Sequence, residues 1–240
     1  MPAADQKLIS PDKRIILALD VNSPQEAREW VHRLKDHLKF YKVGLQLFLG
    51  GGFDIVEWIV DQGLEVMIDL KFFDVPRTVA AAVEQLKNRG ISLATVHGND
   101  EILKAAVASK GELKILAVTV LTSLDEADLK ELGFECTVEE LVHSRARRAL
   151  QLGCDGVVSS GLEAPRLRDQ LGRNFLIVVP GVRPVKNRED DQKRIVDVKE
   201  AFLRGADYVV VGRPIYQAPD PIATVRRMQA QIKEALEATA

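Results

Sequence analysis

Eight short runs rich in β-branched residues recur along the chain, and each is followed by a longer amphipathic or polar stretch. The runs are RIILALD (14–20), FYKVGLQ (40–46), EVMIDLK (65–71), LATVHG (93–98), KILAVTVL (114–121), GVVSS (156–160), FLIVVPG (175–181) and YVVVG (208–212). Strands this uniformly apolar are buried on both faces, which is the mark of a parallel sheet. Helical patterns fill the gaps. PQEAREWVHRLKDHL follows Ser23 as N-cap and places Pro24 at the first helical position. TVAAAVEQLKNRG ends on Gly90 and VEELVHSRARRALQLG on Gly153, both where a helix commonly stops. Eight β/α units within 240 residues predict an α/β fold, a (β/α)8 TIM barrel. A doubly wound open sheet is the rival on pattern alone. No Pro/Gly/Ser-rich linker breaks the chain, so residues 13–240 read as a single barrel domain, with 1–12 a flexible N-terminal tail.

Composition narrows the class. With 46% hydrophobic and 28% charged residues the chain has the make-up of a soluble globular enzyme with a sizeable core. Its net charge of −2 offers no electrostatic reason to bind nucleic acid or an anionic membrane. Cys136 and Cys154, the two cysteines, lack paired-ligand spacing, so neither a disulfide framework nor a zinc site is indicated. The N-terminal MPAADQKLISPDKR has no apolar core of a signal peptide. No apolar run approaches the roughly 18 residues of a membrane span. A cytoplasmic location is the expectation.

In such barrels chemistry gathers at the C-terminal ends of the strands. There the sequence places Asp20, Lys42, Asp69 with Lys71, His97, Thr122 with Ser123, Ser159 with Ser160, Arg183, and Gly212 with Arg213. DLKFFDVPRT (69–78) is the densest group, with Asp69, Lys71 and Asp74 inside six positions. Asp69 and Lys71 share a face of their strand, and Lys42 on the neighbouring strand reaches between them. Alternating ammonium and carboxylate groups keep one another ionised. An ion-pair ladder closing the barrel mouth is the plain structural alternative, but five charges at one rim exceed that need.

Other candidates carry less. His97 reads as a buried supporting histidine, and His32, His37 and His143 as helix-surface residues. The glycines of LGGGF (49–53) read as a flexible loop and match no phosphate-loop or dinucleotide fingerprint. KNREDDQKR (186–194) is either a solvated loop or a phosphate-side loop, since barrels often bind phosphate around strands 7 and 8. Gly212 permits close backbone approach to an anion, and Arg213 offers bidentate hydrogen bonds to phosphate. There is neither a GxSxG elbow nor an HExxH pair.

LALDV (17–21), YKVGLQLF (41–48), DLKFFDVPRT, VTVLTS (118–123), PGVRP (180–184), DDQKR (190–194) and VVVGRPI (209–215) occur in order, each at a strand end. Together they resemble the orotidine 5′-phosphate decarboxylases in their bacterial form, from about Arg14 to the last helix. The resemblance implies a (β/α)8 barrel active as a homodimer. It implies decarboxylation of orotidine 5′-monophosphate to UMP in pyrimidine biosynthesis, with no cofactor and no metal. By position, Asp20 and Lys42 match the pair that holds the ribose hydroxyls, Lys71 the acid that protonates C6, and Asp69 the group against the substrate carboxylate. Asp74 and Thr78 match residues given to the partner's site. Thr122 or Ser123 would meet the pyrimidine, and Gln192, Gly212 and Arg213 the phosphate, with Arg183 beside them. The family often has Ile and Asn around the proline of DLKFFDVPRT, where this chain has Val75 and Arg77; the arginine bears on local interface contacts.

The rival within the same superfamily is a Mg-dependent sugar-phosphate decarboxylase or aldolase sharing the Asp-x-Lys-x-x-Asp signature. Those enzymes resemble this chain except for an acid where Lys42 stands, and an ammonium there repels a divalent cation. A non-catalytic phosphate-binding barrel has no evident use for Asp69, Lys71 and Asp74 together.

Overall fold

The computed structural model describes residues 9–183 and 196–239. Eight parallel strands close into a barrel in chain order: β1 (Ile15–Ala18), β2 (Phe40–Gly44), β3 (Glu65–Phe72), β4 (Leu93–Val96), β5 (Lys114–Val118), β6 (Gly156–Val158), β7 (Leu176–Val179) and β8 (Tyr208–Val211). The barrel seals where β1 pairs with β8, Ile16 opposite Val210. The open-sheet rival is thereby set aside.

Ten α-helices are present among the described residues: α1 (Pro24–Leu34), α2 (Leu45–Asp61), α3 (Pro76–Glu84), α4 (Asp100–Ser109), α5 (Glu126–Glu131), α6 (Val138–Gln151), α7 (Ala164–Leu171), α8 (Val198–Leu203), α9 (Arg213–Tyr216) and α10 (Pro221–Ala238). Their starts follow local chemistry. The Ser23 hydroxyl accepts the Glu26 N–H, and Thr137 with Glu140 forms a reciprocal capping box. None is long and apolar enough to cross a membrane.

The glycines expected to form a flexible loop lie inside α2 instead. Helical spacing of buried Leu47, Ile55, Val56 and Ile59 carries the helix past them, and the run breaks only at Gly52 (φ 53°, ψ −143°). That backbone conformation needs a residue without Cβ.

Two apolar layers result from the period-2 alternation of the strands. Outward residues such as Leu17, Tyr41, Val66, Ile68 and Ile177 pack under the helices. Inward ones, Ile16, Ala18, Phe40, Met67, Leu93, Leu116, Leu176, Val178, Tyr208 and Val210, fill the barrel. Each large side chain so buried contributes about 1.5–3 kcal/mol. The inner layer is a floor, and polar side chains stand on its upper side.

The opposite, N-terminal end is closed by a buried ion pair. Arg168 Nη2 lies 2.6 Å from Asp207 Oδ2, both side chains 8% exposed. Arg168 also donates to the carbonyls of Gly205 (2.9 Å) and Phe175 (2.8 Å). Asp207 accepts the Ile177 N–H at 2.7 Å, while Arg14 donates to its backbone carbonyl at 3.2 Å. Truncating one partner strands the other charge. Arg168→Ala is expected to cost about 3–5 kcal/mol. The exposed Arg166, paired with Glu139 at 2.9 Å, should cost under about 1 kcal/mol when replaced by alanine. Denaturant unfolding of the two variants checks the contrast; equal losses would remove the ion pair from its proposed structural role.

Candidate active site

Following each of the first four strands one inward step beyond the apolar floor reaches a polar residue. Asp20 follows Ala18, Lys42 follows Phe40, Asp69 follows Met67 and Thr95 follows Leu93. Lys42 Nζ lies 3.0 Å from Asp20 Oδ1 and 3.5 Å from Asp69 Oδ2. Lys71 Nζ lies 2.9 Å from Asp69 Oδ1. The four groups form one alternating row, Asp20–Lys42–Asp69–Lys71, with Asp69 at its hub. Gly44 makes room for it, since a Cβ there would sit 3.1 Å from Lys42 Nζ and 3.4 Å from Asp20 Oδ1.

Burial by itself would push the Asp69 carboxyl up. Lys42, Lys71 and the hydrogen bonds from Lys71 and Thr95 outweigh it and hold the group below the usual carboxylate range. Thr95, wholly buried, donates to Asp69 Oδ1 at 2.9 Å and accepts the Lys71 N–H at 3.0 Å.

β3 is irregular at this point. Ile68 pairs with Ala94 but Phe72 pairs with Val96, so four steps of β3 match two of β4. Lys71 takes the extra length with a left-handed φ of 49°. Its side chain remains beside that of Asp69, both on the cavity wall.

Above the row opens a cavity of about 520 Å³. Its walls bring together the predicted Asp20, Lys42, Asp69, Lys71, Thr122, Ser123, Arg183, Gly212 and Arg213. The run expected to be strand as far as residue 121 ends at Val118, and just beyond it the Thr119 N–H and hydroxyl both donate to the Val158 carbonyl, at 3.3 Å and 2.9 Å. The following residues bend inward, which places Thr122 and Ser123 over the mouth. Arg183 follows β7, and Gly212 and Arg213 follow β8. Gln192 lies outside the described residues.

Asp74 and Thr78 are elsewhere. Residues 73–78 are exposed without interruption, and neither Asp74 nor Thr78 lines the cavity of its own chain. Asp74 Oδ1 accepts the Val75 N–H at 2.6 Å. His97 also stands outside the wall, between the Phe73 ring at 5.3 Å and Arg145 Nη1 at 3.5 Å. Burial, then Arg145, lowers its pKa. Burial pushes the Cys154 thiol up to about 12, which leaves it unreactive.

Two contributors escape a reading of strand ends. Tyr216 lines the cavity and donates its hydroxyl to the Ala18 carbonyl. Thr95 lies under the row. Its signal is present in LATV as the one polar side chain of a buried strand.

The profile of the orotidine 5′-phosphate decarboxylase / HUMPS family matches residues 13–228. An orotidine 5′-phosphate decarboxylase of Methylococcus capsulatus is 58% identical over 227 residues, covering 94% of each chain. One from Nitrobacter winogradskyi is 47% identical, covering 93% of this chain and 94% of its own. The crystal structure of orotidine 5′-phosphate decarboxylase from Lactobacillus acidophilus superposes with a TM-score of 0.81 at 33% identity, covering 92% of this chain and 99% of its own.

Because the Asp69 carboxyl titrates lower folded than unfolded, its ion pairs add stability at neutral pH. That contribution fades as pH falls through the ordinary carboxylate value of about 3.9 toward the folded one. Asp69→Asn is therefore expected to lower the melting temperature at pH 7 and to lower it much less at pH 3. Thermal unfolding across that interval is the check. A gap that stays constant with pH would show that Asp69 is not held ionised by its lysines.

Proposed function

The chain belongs to the orotidine 5′-phosphate decarboxylase / HUMPS family, and we propose that its barrel mouth converts orotidine 5′-monophosphate to UMP with Lys71 as the proton donor. The observation that carries this reading is the alternating row Asp20–Lys42–Asp69–Lys71 on the cavity floor.

The chemistry explains the need for such a row. When the bond from C6 to the carboxylate breaks, its electron pair stays on C6 in the plane of the ring, where the π system cannot spread it. CO2 leaves, and C6 takes a proton from the Lys71 ammonium. Lys71 is then neutral and regains its proton from solvent. An ammonium fixed beside the carbon both stabilises the developing charge and supplies the proton. Asp69 fixes that ammonium and lies against the substrate carboxylate, where it acts as a like charge until CO2 departs.

The remaining roles follow position. Asp20 and Lys42 hold the ribose hydroxyls, and Thr122 or Ser123 the pyrimidine. Arg213, the Gly212 backbone and Arg183 take the phosphate, joined by Gln192. Phosphate binding far from C6 supplies energy that serves the reacting end of the ligand.

Lys42 decides against the Mg-dependent rival. Its Nζ sits between the Asp20 and Asp69 carboxylates, the two groups a divalent ion would use, and supports a metal-free and cofactor-free reaction. The composition supports work in the cytoplasm, apart from membrane and nucleic acid. Lys71→Ala should lower kcat/KM at least about 10⁴-fold while UMP binding survives. CO2 release from orotidine 5′-monophosphate should be unchanged by EDTA. Near-normal turnover by the variant, or loss of wild-type activity to the chelator, would overturn the mechanism.

A homodimer completes the site. Pro76 starts α3 on a course away from the strand, and Asp74 precedes it in the exposed segment, so a second chain's Lys71 is the easier partner for its carboxylate. Twofold symmetry then gives Asp74 and Thr78 of each chain to the other's cavity. Exposed Phe73 and Val75, 68% and 62% accessible, support the same contact. Mixing inactive Lys71→Ala and Asp74→Ala proteins under subunit exchange should return up to about half of wild-type activity per mixed dimer, because one site then carries both lesions and the other none. Confirmed exchange without activity would place Asp74 in its own chain's chemistry.

A further inference from the structure

We infer that Thr95 is a positioning residue that sets Lys71 and Asp69 in register with each other through a single hydroxyl. The inference rests on the reading of the cavity as an orotidine 5′-monophosphate decarboxylase site and extends it to a residue that does not line the cavity.

The direction of both hydrogen bonds is fixed by their partners. A backbone N–H only donates, so Oγ1 accepts from Lys71 at 3.0 Å. An ionised carboxylate only accepts, so the hydroxyl proton points to Asp69 Oδ1 at 2.9 Å. The Asp69 carboxyl is held ionised by its two lysines as well as by this bond. One atom thus meets the main chain of the proton donor and the side chain of the acid that orients it. Lys71 Nζ, 2.9 Å from the same Oδ1, closes a loop running Thr95 Oγ1, Asp69 Oδ1, Lys71 Nζ and back along the lysine to its own N–H.

That loop matters because the backbone of Lys71 is unusual. Its φ of 49° is one that side-chain-bearing residues adopt only when their surroundings impose it. The bulge between Ile68 and Phe72 takes the Lys71 N–H out of the regular pairing with β4, and the Thr95 side chain serves as its acceptor. Threonine suits the task because branching at Cβ restricts χ1, and the side chain is wholly buried on a strand. Without the hydroxyl the Lys71 N–H is left without its acceptor at the bulge. The backbone is then free to relax toward extended geometry, and the ammonium shifts relative to C6. Reacting groups displaced by about 1 Å lose up to about 100-fold in rate.

Two substitutions separate the hydroxyl from the shape. Thr95→Val keeps the branched outline and removes the bonds; Thr95→Ser keeps the bonds and removes the methyl. With orotidine 5′-monophosphate, Thr95→Val should lower kcat about 10- to 100-fold with KM within about threefold of wild type. Thr95→Ser should stay within about threefold in both constants. Valine at wild-type kcat, serine as impaired as valine, or a loss confined to KM would each overturn the assignment in favour of packing. If Thr95→Val does not fold, Thr95→Ala takes its place with the same expected loss in kcat alone and the same overturning results. An active wild-type enzyme whose Thr95 variants behave alike refutes only the positioning role. A wild-type chain that releases no CO2 refutes the functional reading, and this one with it.

Discussion

A carboxylate only 15% exposed sits at the hub of the barrel mouth, and much of the structure answers to the need to keep Asp69 charged there. An isolated charge in that position would take up a proton rather than remain ionised. Two ammoniums and a hydroxyl prevent it, and each comes from a different place in the fold. Lys42 arrives from β2, whose register sets Gly44 opposite Asp69 and Lys42 opposite Met67. Thr95 arrives from β4, and Lys71 from further along the same strand as Asp69. Three adjacent strands must therefore be staggered correctly before the charge is compensated, and barrel closure enforces that stagger. The inner apolar floor beneath, with Met67, Phe40 and Leu93, offers it no polar partner from below.

In the proposed reaction, a row fixed by its own ion pairs bears on where catalytic power comes from. Two charges about 4 Å apart interact by roughly 4 kcal/mol at an effective dielectric near 20. Repulsion between Asp69 and a substrate carboxylate is of that order, well short of the barrier reduction enzymes commonly provide. A row of two acids and two lysines is neutral as a set, so an incoming carboxylate adds one negative charge beside Lys71. In that reaction departure of CO2 moves the charge onto C6, which the proposed role of Lys71 places next to the same ammonium. Fixed dipoles and charges that need no reorganisation at that moment are the larger contribution.

Much of this was legible in the sequence because it follows from short-range rules. Continuous apolar runs such as FLIVVPG declare two-sided burial, and Ser23 followed by Pro24 declares a helix start. Their periodic recurrence leaves few topologies besides a closed barrel. Asp20, Lys42, Asp69, Lys71, Gly212 and Arg213 were legible as residues of the barrel mouth because charge or glycine at the end of a buried strand has no packing value. What escaped depends on tertiary geometry. The glycines after Leu49 resemble loop residues locally, yet apolar spacing on both sides carries α2 past them. β5 ends early at Val118, and the contact of Thr119 with β6 just beyond it is invisible in KILAVTVL. Thr95 was overlooked because threonine is at home in any strand, and only the bulge opposite gives its hydroxyl two partners.

The irregularity of β3 shapes both the charged row and the segment that follows it. Up to Ile68 the strand follows ordinary alternation, with Met67 in the floor and Ile68 under the helices. From Asp69 onward each residue has a separate assignment: the hub carboxylate, then Leu70 against the outer core, then Lys71 with its left-handed backbone. A regular strand would pair the Lys71 N–H with β4 and continue in line with its neighbours. By breaking register there, the chain keeps Asp69 and Lys71 within 2.9 Å of each other and redirects the residues that follow. Residues 73–78 then emerge exposed, ending in the first turn of α3. The backbone change that seats Lys71 beside Asp69 is thus the same one that carries Asp74 out of the cavity of its own chain. In physical terms, the geometry of the charged row and the exposure of residues 73–78 are a single decision made at Lys71.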